Sequence, residues 1–204
     1  EEVRAEEVRA EEASADEARA AALREELLER AQSAGDEGDF ETMAQTLREG
    51  LEELSGDPFV LCWLGVAERE LGLEGIAYER FRQALAGDPT DPVVLATIGN
   101  ALAALDDPNA EGALRSAALM GPDVPLTRWM YGAWLSREGL VDDGLRELEA
   151  ARDLDPDDAV IRYELAVNRL LAGALDEGID HLLAASDLNP DDGWVRIVLG
   201  LALL

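Results

Sequence analysis

Residues 154–192 read LDPDDAVIRYELAVNRLLAGALDEGIDHLLAASDLNPDD, and they contain one full unit of a repeating pattern. The motif Leu-Asp-Pro-Asp-Asp at the start of this stretch returns as Leu-Asn-Pro-Asp-Asp at its end. Proline stops a helix and aspartate caps the helix that follows, so each motif is expected to separate two helices. Gly173, near the middle of the unit, marks a second break because a residue that ends a helix often needs a left-handed backbone. The unit is therefore predicted to be two helices joined by a tight turn.

The same spacing runs through most of the chain. A proline recurs near the end of each unit, at Pro58, Pro89, Pro122, Pro156 and Pro190. When the units are aligned on these prolines, small residues fall where two antiparallel helices must touch, at position 8 (Gly65, Gly99, Gly132 and Ala166) and at position 27 (Ala84, Ala117, Ala151 and Ala185). A helix-turn-helix unit with this pattern and a period of roughly 34 residues resembles the tetratricopeptide repeat (TPR).

The resemblance implies an all-α fold, a right-handed superhelical α-solenoid of TPR helix-turn-helix repeats preceded by a long N-terminal helix. Abundant Ala and Leu with few aromatic and β-branched residues independently favour helices over strands. The predicted divisions are a degenerate repeat at 23–57, full repeats at 58–91, 92–124, 125–158 and 159–192, and the first helix of an incomplete or capping repeat at 193–204. That last helix is apolar nearly all round, so we expect further chain or a partner to cover it.

Glycine replaces the usual alanine at position 20 of the two later repeats, at Gly144 and Gly178. Glycine is less favourable than alanine inside a helix by roughly 1 kcal/mol. The sequence therefore predicts that each of these glycines slightly weakens its helix.

Residues 1–30 form a tract rich in Ala, Glu and Arg that overlaps the degenerate repeat and begins EEVRA-EEVRA. Strong helix formers and pairs such as Glu1 with Arg4 and Glu6 with Arg9 predict a long helix. The five-residue period does not match the repeat of about 3.6 residues of a helix or of about 3.5 of a coiled coil, so no coiled-coil seam is expected. We interpret the tract as a solvated spacer; the alternative is an arm that contacts a neighbouring subunit or lies in a groove.

Acidic residues dominate the charge of the chain. There are 45 acidic and 17 basic residues, all of the latter arginine, for a formal net charge of −28. This excess repels phosphate, so neither nucleic acid nor an anionic membrane surface is expected as a partner. No run approaches the roughly 20 apolar residues of a membrane span, so direct membrane insertion is not expected either. The predicted partner is a protein or peptide, basic or forming an amphipathic helix; the alternative is that the acidity maintains solubility in a salty environment.

In the TPR family the first helices of the pairs line a concave surface, and positions 2, 5, 9, 12 and 13 face a bound peptide. Most residues of this chain at those positions are apolar or aromatic, which is typical of contact sites. The predicted groove consists of Phe59, Cys62, Val66, Val93, Asn100, Leu126, Trp129, Arg137, Val160, Tyr163, Val167, Trp194 and Ile197. The family's carboxylate clamp is absent, because Cys62 and Val66 stand at two of its positions.

The resemblance implies a protein–protein interaction adaptor that binds an apolar or amphipathic segment of a partner in this predicted groove. One alternative is that superhelical curvature or the N-terminal helix buries these side chains. Another is a structural scaffold, a homo-oligomer that self-assembles through its apolar C-terminal end or its N-terminal helix. A cytoplasmic location is favoured, but the first residue is Glu and not Met, so a periplasmic or membrane-tethered protein with a removed leader stays open.

No catalytic site, metal site or cofactor is predicted. The one histidine, His181, and the one cysteine, Cys62, lie in different repeats, and His181 is expected to be exposed. No glycine-rich phosphate loop or paired Cys/His spacing is found. The Asp-rich loops begin like a calcium loop, but Asp158 stands where that loop needs glycine, so helix capping explains them better.

Three arginines, Arg128, Arg162 and Arg196, recur at position 4 of successive units. They are predicted to stack on one side of the repeats and to pair with carboxylates of neighbouring helices or of the Asp-rich loops. The alternative is a docking site for an acidic segment.

Overall fold

The structure, a computed structural model, describes the backbone of residues 2–204 and the side chains of residues 18–204. The described residues form eleven helices and no strand: α1 (Glu2–Asp36), α2 (Phe40–Glu53), α3 (Pro58–Glu70), α4 (Glu74–Ala86), α5 (Pro92–Ala103), α6 (Ala110–Met120), α7 (Pro125–Arg137), α8 (Val141–Leu154), α9 (Ala159–Leu171), α10 (Leu175–Leu188) and α11 (Gly193–Ala202). The prediction of an all-α helical-repeat fold is confirmed. The two predicted Glu–Arg pairs of the N-terminal tract lie outside the described side chains.

Local sequence chemistry determines where the helices begin and end. The carboxylates of Asp57, Asp91, Asp158 and Asp192 accept hydrogen bonds from backbone N–H groups in the first turns of α3, α5, α9 and α11. These bonds satisfy donors that a helix leaves unpaired at its N-terminus. The capping interpretation of the Asp-rich loops is therefore confirmed for Asp158 and Asp192. Within the last full pair, Gly173 takes a left-handed backbone with φ +80° in the turn between α9 and α10.

The chain divides into two compact units, Glu1–Pro89 and Thr90–Leu204. Unit 1 contains α1 to α4, and its core includes Leu27 of α1, Leu47 of α2 and Leu64 of α3. The C-terminal half of α1 thus packs as a partner of α2 and α3. Arg24 reinforces this packing, because its Nε donates to the capping carboxylate of Asp57 at 2.7 Å.

Unit 1 also contains a buried ion network. Glu68 of α3 is only 1% exposed. Its carboxylate accepts from Arg48 of α2 at 3.0 Å and from Arg80 of α4 at 3.3 Å. A buried carboxylate needs such partners because its loss of hydration costs several kcal/mol. Glu68 therefore ties three helices of the unit together.

Unit 2 contains α5 to α11. One part of its core is built from Leu145, Leu148, Ile161 and Leu165, which lie on α8 and α9. A second part joins α9, α10 and α11 through residues that include Leu182 and Val195. These clusters hold the first helices α7, α9 and α11, which carry most of the predicted groove.

Candidate functional site

Three residues of the predicted groove lie on α3 in unit 1. Cys62 is fully buried, with 0% of its surface exposed, so its side chain cannot contact a partner and is removed from the candidate site. Phe59 and Val66 are half-buried and pack against the core of the unit. The ring of Phe59 also meets Trp63 edge to face, with centroids 6.3 Å apart. In this unit, much of the predicted face is therefore core.

A mainly apolar cleft of about 380 Å³ opens beside Val66, between α1, α2 and α3. Leu28, Phe40 and Trp63 are among its lining residues. The indole N–H of Trp63 is buried and has no hydrogen-bond partner among the described residues. Trp63 was not among the predicted groove residues, although it directly follows Cys62 and Trp is a frequent binding anchor.

In unit 2, α5 and α7 carry five of the predicted residues. Val93, Asn100 and Leu126 are half-buried, and Arg137 is exposed. Trp129 is half-buried, packs against the cluster of α8 and α9, and keeps its indole N–H away from solvent without a hydrogen-bond partner among the described residues. Because its ring contributes to the core, Trp129 has little surface left for a partner.

The last two first helices, α9 and α11, present the most accessible part of the predicted groove. Trp194 is 60%, Ile197 55% and Val160 48% exposed, whereas Tyr163 and Val167 are half-buried. We call Val160, Tyr163, Trp194 and Ile197 the aromatic face. The indole N–H of Trp194 donates to the Tyr163 hydroxyl at 2.7 Å, which links α9 to α11. Two aromatic side chains are thus held in place while the indole stays exposed.

One carboxylate lies next in sequence to this face. Burial raises the pKa of Glu164, and the positive charge of Arg137 partly offsets that rise. Burial disfavours the charged carboxylate, and the guanidinium of Arg137 favours it.

Solved structures share this architecture over most of the chain. The thermophilic TPR protein TTC0263 of Thermus thermophilus aligns with a TM-score of 0.71 and 24% identity, covering 88% of this chain and 98% of that one. PilW, a type IV pilus biogenesis factor, aligns with a TM-score of 0.74 and 17% identity, covering 89% and 86%. YrrB, a TPR protein with an unusual peptide-binding site, aligns with a TM-score of 0.61 and 20% identity, covering 84% and 89%.

The chain has the fold of a tetratricopeptide-repeat protein. No protein-family model matches it, and no curated protein matches it. Since the identities to these three structures do not exceed 24%, the likeness is one of fold.

Two of the three arginines at position 4, Arg128 and Arg162, hydrogen-bond the loops between helix pairs. The Nε of Arg128 donates to the Pro122 carbonyl at 2.7 Å, and the Nε of Arg162 donates to the Pro156 carbonyl at 3.1 Å. Arg128 also binds the carboxylate of Glu147 on α8 at 2.6 Å, as predicted. Arg128 thus pairs with a carboxylate of a neighbouring helix, whereas Arg162 bonds a loop carbonyl through its Nε. Docking of an acidic segment at these arginines stays a prediction.

The described residues contain no group of three or more His, Cys, Asp or Glu side chains placed to hold a metal ion. Among the same residues, no helix combines the length and the apolar character needed to cross a membrane.

His181 is half-buried on α10, so the expectation that it is exposed was wrong. Burial lowers its pKa, and so does repulsion from Arg162, Arg152 and Arg169, while Glu177 acts in the opposite direction. The folded protein therefore binds a proton at His181 more weakly than the unfolded chain does. The stabilising form in the fold is the neutral imidazole.

We expect the protein to become less stable as the pH falls, partly because of His181. Between neutral pH and the lowered pKa of the folded state, the unfolded chain takes up more protons than the fold, and this favours unfolding. In His181→Gln this contribution is absent. The free energy of unfolding, measured by chemical denaturation, should therefore drop less between about pH 7.5 and about pH 5.5 for the variant than for the wild type. Equal losses would contradict the expectation.

Proposed function

We propose that the protein is a protein–protein interaction adaptor that binds an apolar or amphipathic segment of a partner on the aromatic face. The observation that carries the proposal is the exposure of Trp194 and Ile197 beside a tyrosine that hydrogen-bonds the indole. Exposed large apolar residues that adjoin one another are typical of contact sites. Tryptophan and tyrosine are also enriched among the few residues that contribute most of the binding energy at protein interfaces.

The charge of the chain favours a partner segment with basic residues. With a formal net charge of −28, the protein attracts cations and repels acidic segments over the range allowed by salt screening. An amphipathic helix with one apolar stripe and flanking arginine or lysine residues fits both this charge and the exposed apolar side chains of the aromatic face. YrrB, with its unusual peptide-binding site, is an example of peptide binding by a TPR protein.

Removing the two most exposed side chains of the aromatic face should strongly weaken partner capture. We expect the double variant Trp194→Ser, Ile197→Ser to retain a partner from an extract of the source organism at least about tenfold less well than the wild type. Both side chains are more than half exposed, so the fold should survive, as circular dichroism would confirm. The readout is the amount of each captured protein, identified by mass spectrometry.

The matched control is Leu119→Ser, which removes a large apolar side chain that is 75% exposed on the second helix α6. It should capture the same protein as the wild type. A photo-crosslinking amino acid at position 197 should label that protein, and the same group at position 119 should not. Equal capture by the double variant and the wild type would disprove the proposed function.

Self-assembly is the second candidate, because the C-terminal end of α11 also exposes apolar residues. Leu201, Leu203 and Leu204 are all well exposed, whereas Leu199 packs against the core of unit 2. If this end forms a homo-oligomer, Leu203→Glu should lower the mass measured by light scattering at low and high salt. A mass that changes in the double variant of the aromatic face instead would identify that face as the self-assembly surface.

A further inference from the structure

A second cleft lies in unit 2, away from the aromatic face. It encloses about 570 Å³ between α6, α7 and α8, whereas the aromatic face lies on α9 and α11. Two side chains of α7 form its wall: the rings of Tyr131 and Trp134 are stacked, with planes 10° apart and centroids separated by 6.1 Å. Both rings are half-buried, so part of each aromatic surface remains open to the cleft.

Four carboxylates and one guanidinium line the cleft beside the rings, contributed by Glu111 of α6, Glu138, and Asp143, Arg146 and Glu147 of α8. Two of the carboxylates are already paired within unit 2: Asp143 with Arg146, and Glu147 with Arg128. Glu111 and Glu138 have no ion pair among the described residues. The cleft therefore combines an aromatic wall with two carboxylates that lack a cationic partner within the described part of the chain.

The electrostatic environment of Tyr131 agrees with this geometry. Burial is the main reason that the pKa of Tyr131 is raised, and Glu111, Glu147 and Asp143 raise it further, against an opposing effect of Arg115. Three carboxylates and one guanidinium therefore lie close enough to Tyr131 to act on its hydroxyl. A cation placed there would gain from both the rings and the carboxylates.

We propose that this cleft binds the guanidinium group of an arginine side chain in a partner protein. A guanidinium is planar and weakly hydrated, so it stacks on aromatic rings, and its N–H groups match carboxylate oxygens. An ammonium group is a strongly hydrated point charge and uses a flat aromatic wall less well. The same pairing already occurs inside unit 1, where the guanidinium carbon of Arg82 lies 5.8 Å from the ring centre of Tyr78. The site is separate from the aromatic face and does not depend on its function.

The sequence did not predict this cleft, because neither Tyr131 nor Trp134 lies at one of the repeat positions that face a peptide in the TPR family. The available signal was the spacing of Tyr131 and Trp134, which lie three residues apart and therefore share one side of a helix. The carboxylates come mostly from other helices, so their approach to the rings depends on tertiary packing.

Titration of the full-length chain with a single-residue probe tests the site. N-acetyl-arginine methylamide should cause a saturable shift of the Trp134 indole N–H signal in an NMR spectrum, assigned with Trp134→Phe. N-acetyl-citrulline methylamide has the same shape without the charge and should cause no saturable shift. The arginine probe should bind less well at high salt, because part of the attraction is between charges near solvent.

Removing the two unpaired carboxylates should weaken binding selectively. We expect Glu111→Gln, Glu138→Gln to reduce affinity for the arginine probe by roughly five- to tenfold. The charge-matched control is Glu74→Gln, Glu79→Gln, which removes two exposed glutamates of α4 in the other unit and should bind as the wild type does. Equal affinity in the two double variants, or an equal response to citrulline, would overturn the proposal. Tighter binding of N-acetyl-lysine methylamide would overturn the assignment to guanidinium.

Discussion

Replacing Glu68 by glutamine is expected to lower the free energy of unfolding by about 3 kcal/mol. The substitution removes the charge that two arginines share, while the side chain keeps its size. Glu68 is 1% exposed, and Arg48 and Arg80 reach it from two other helices. Breaking a buried ion pair on one side typically costs about 3–5 kcal/mol, because the remaining charge lacks compensation. We expect the lower end of this range because both arginines are partly exposed and can turn towards water.

The measurement is urea denaturation of the wild type, Glu68→Gln and the control Glu70→Gln. Glu70 lies on the same helix but is exposed, and its ion pair with Arg69 is near solvent at 3.5 Å. Exposed pairs of this kind contribute little, so the control should stay within about 0.5 kcal/mol of the wild type. Similar losses for the two variants would mean that Arg48, Glu68 and Arg80 do not act as a stabilising network.

The helices could be predicted because their signals are local. Asp158 caps α9 through hydrogen bonds to the next few backbone N–H groups, so its role depends only on its immediate neighbours. The role of Gly173 is similarly local, because its own turn requires a left-handed backbone. The repeat at 92–124 lacks that glycine, and Asp106 adopts the left-handed conformation there with φ +53°. Each signal recurs with the repeat, and the recurrence indicated the helical-repeat fold.

Exposure within the predicted groove could not be derived in the same way. Position 5 in the first helices of successive units holds Cys62, Ala96, Trp129, Tyr163 and Ile197. Cys62 is fully buried, Trp129 and Tyr163 are half-buried, and Ile197 is 55% exposed. One repeat position therefore has very different surroundings, because the size of the neighbouring side chains and the next helix determine how much of it is covered. The repeat pattern identifies a position on a helix but not its solvent exposure.

Contacts between distant residues were also beyond the sequence. Arg48 and Arg80 are 20 and 12 residues from Glu68, and no local spacing rule connects them. The same holds for Glu111, which reaches the cleft from a different helix than Tyr131. Such groups meet only after the helices have packed, so their pairing follows from tertiary structure.

Alanine at position 144 should destabilise the protein, although helix propensity alone predicts the opposite. Gly144 lies where α8 crosses α7, and a Cβ there would lie 2.7 Å from the backbone oxygen of Gly132 and would also collide with the side chain of Ser136. A backbone oxygen cannot rotate away, so the two helices would have to separate. Overpacking of this kind costs about 1–3 kcal/mol. The gain in helix propensity is roughly 1 kcal/mol, so the clash outweighs it over most of that range. We expect a net loss of up to about 2 kcal/mol, in contrast to the prediction from the sequence that glycine is the weaker choice here.

Gly112→Ala provides the matched control, because Gly112 also lies inside a helix of unit 2 but has no atom within 4 Å of the position that an added Cβ would take. There the propensity term acts alone, so alanine should raise the free energy of unfolding by up to about 1 kcal/mol. The two substitutions add the same methyl group to the same residue type, so opposite signs in denaturation can only arise from the close approach of α7 and α8. Stabilisation by both would show that these helices can move apart at little cost, and that propensity governs both sites.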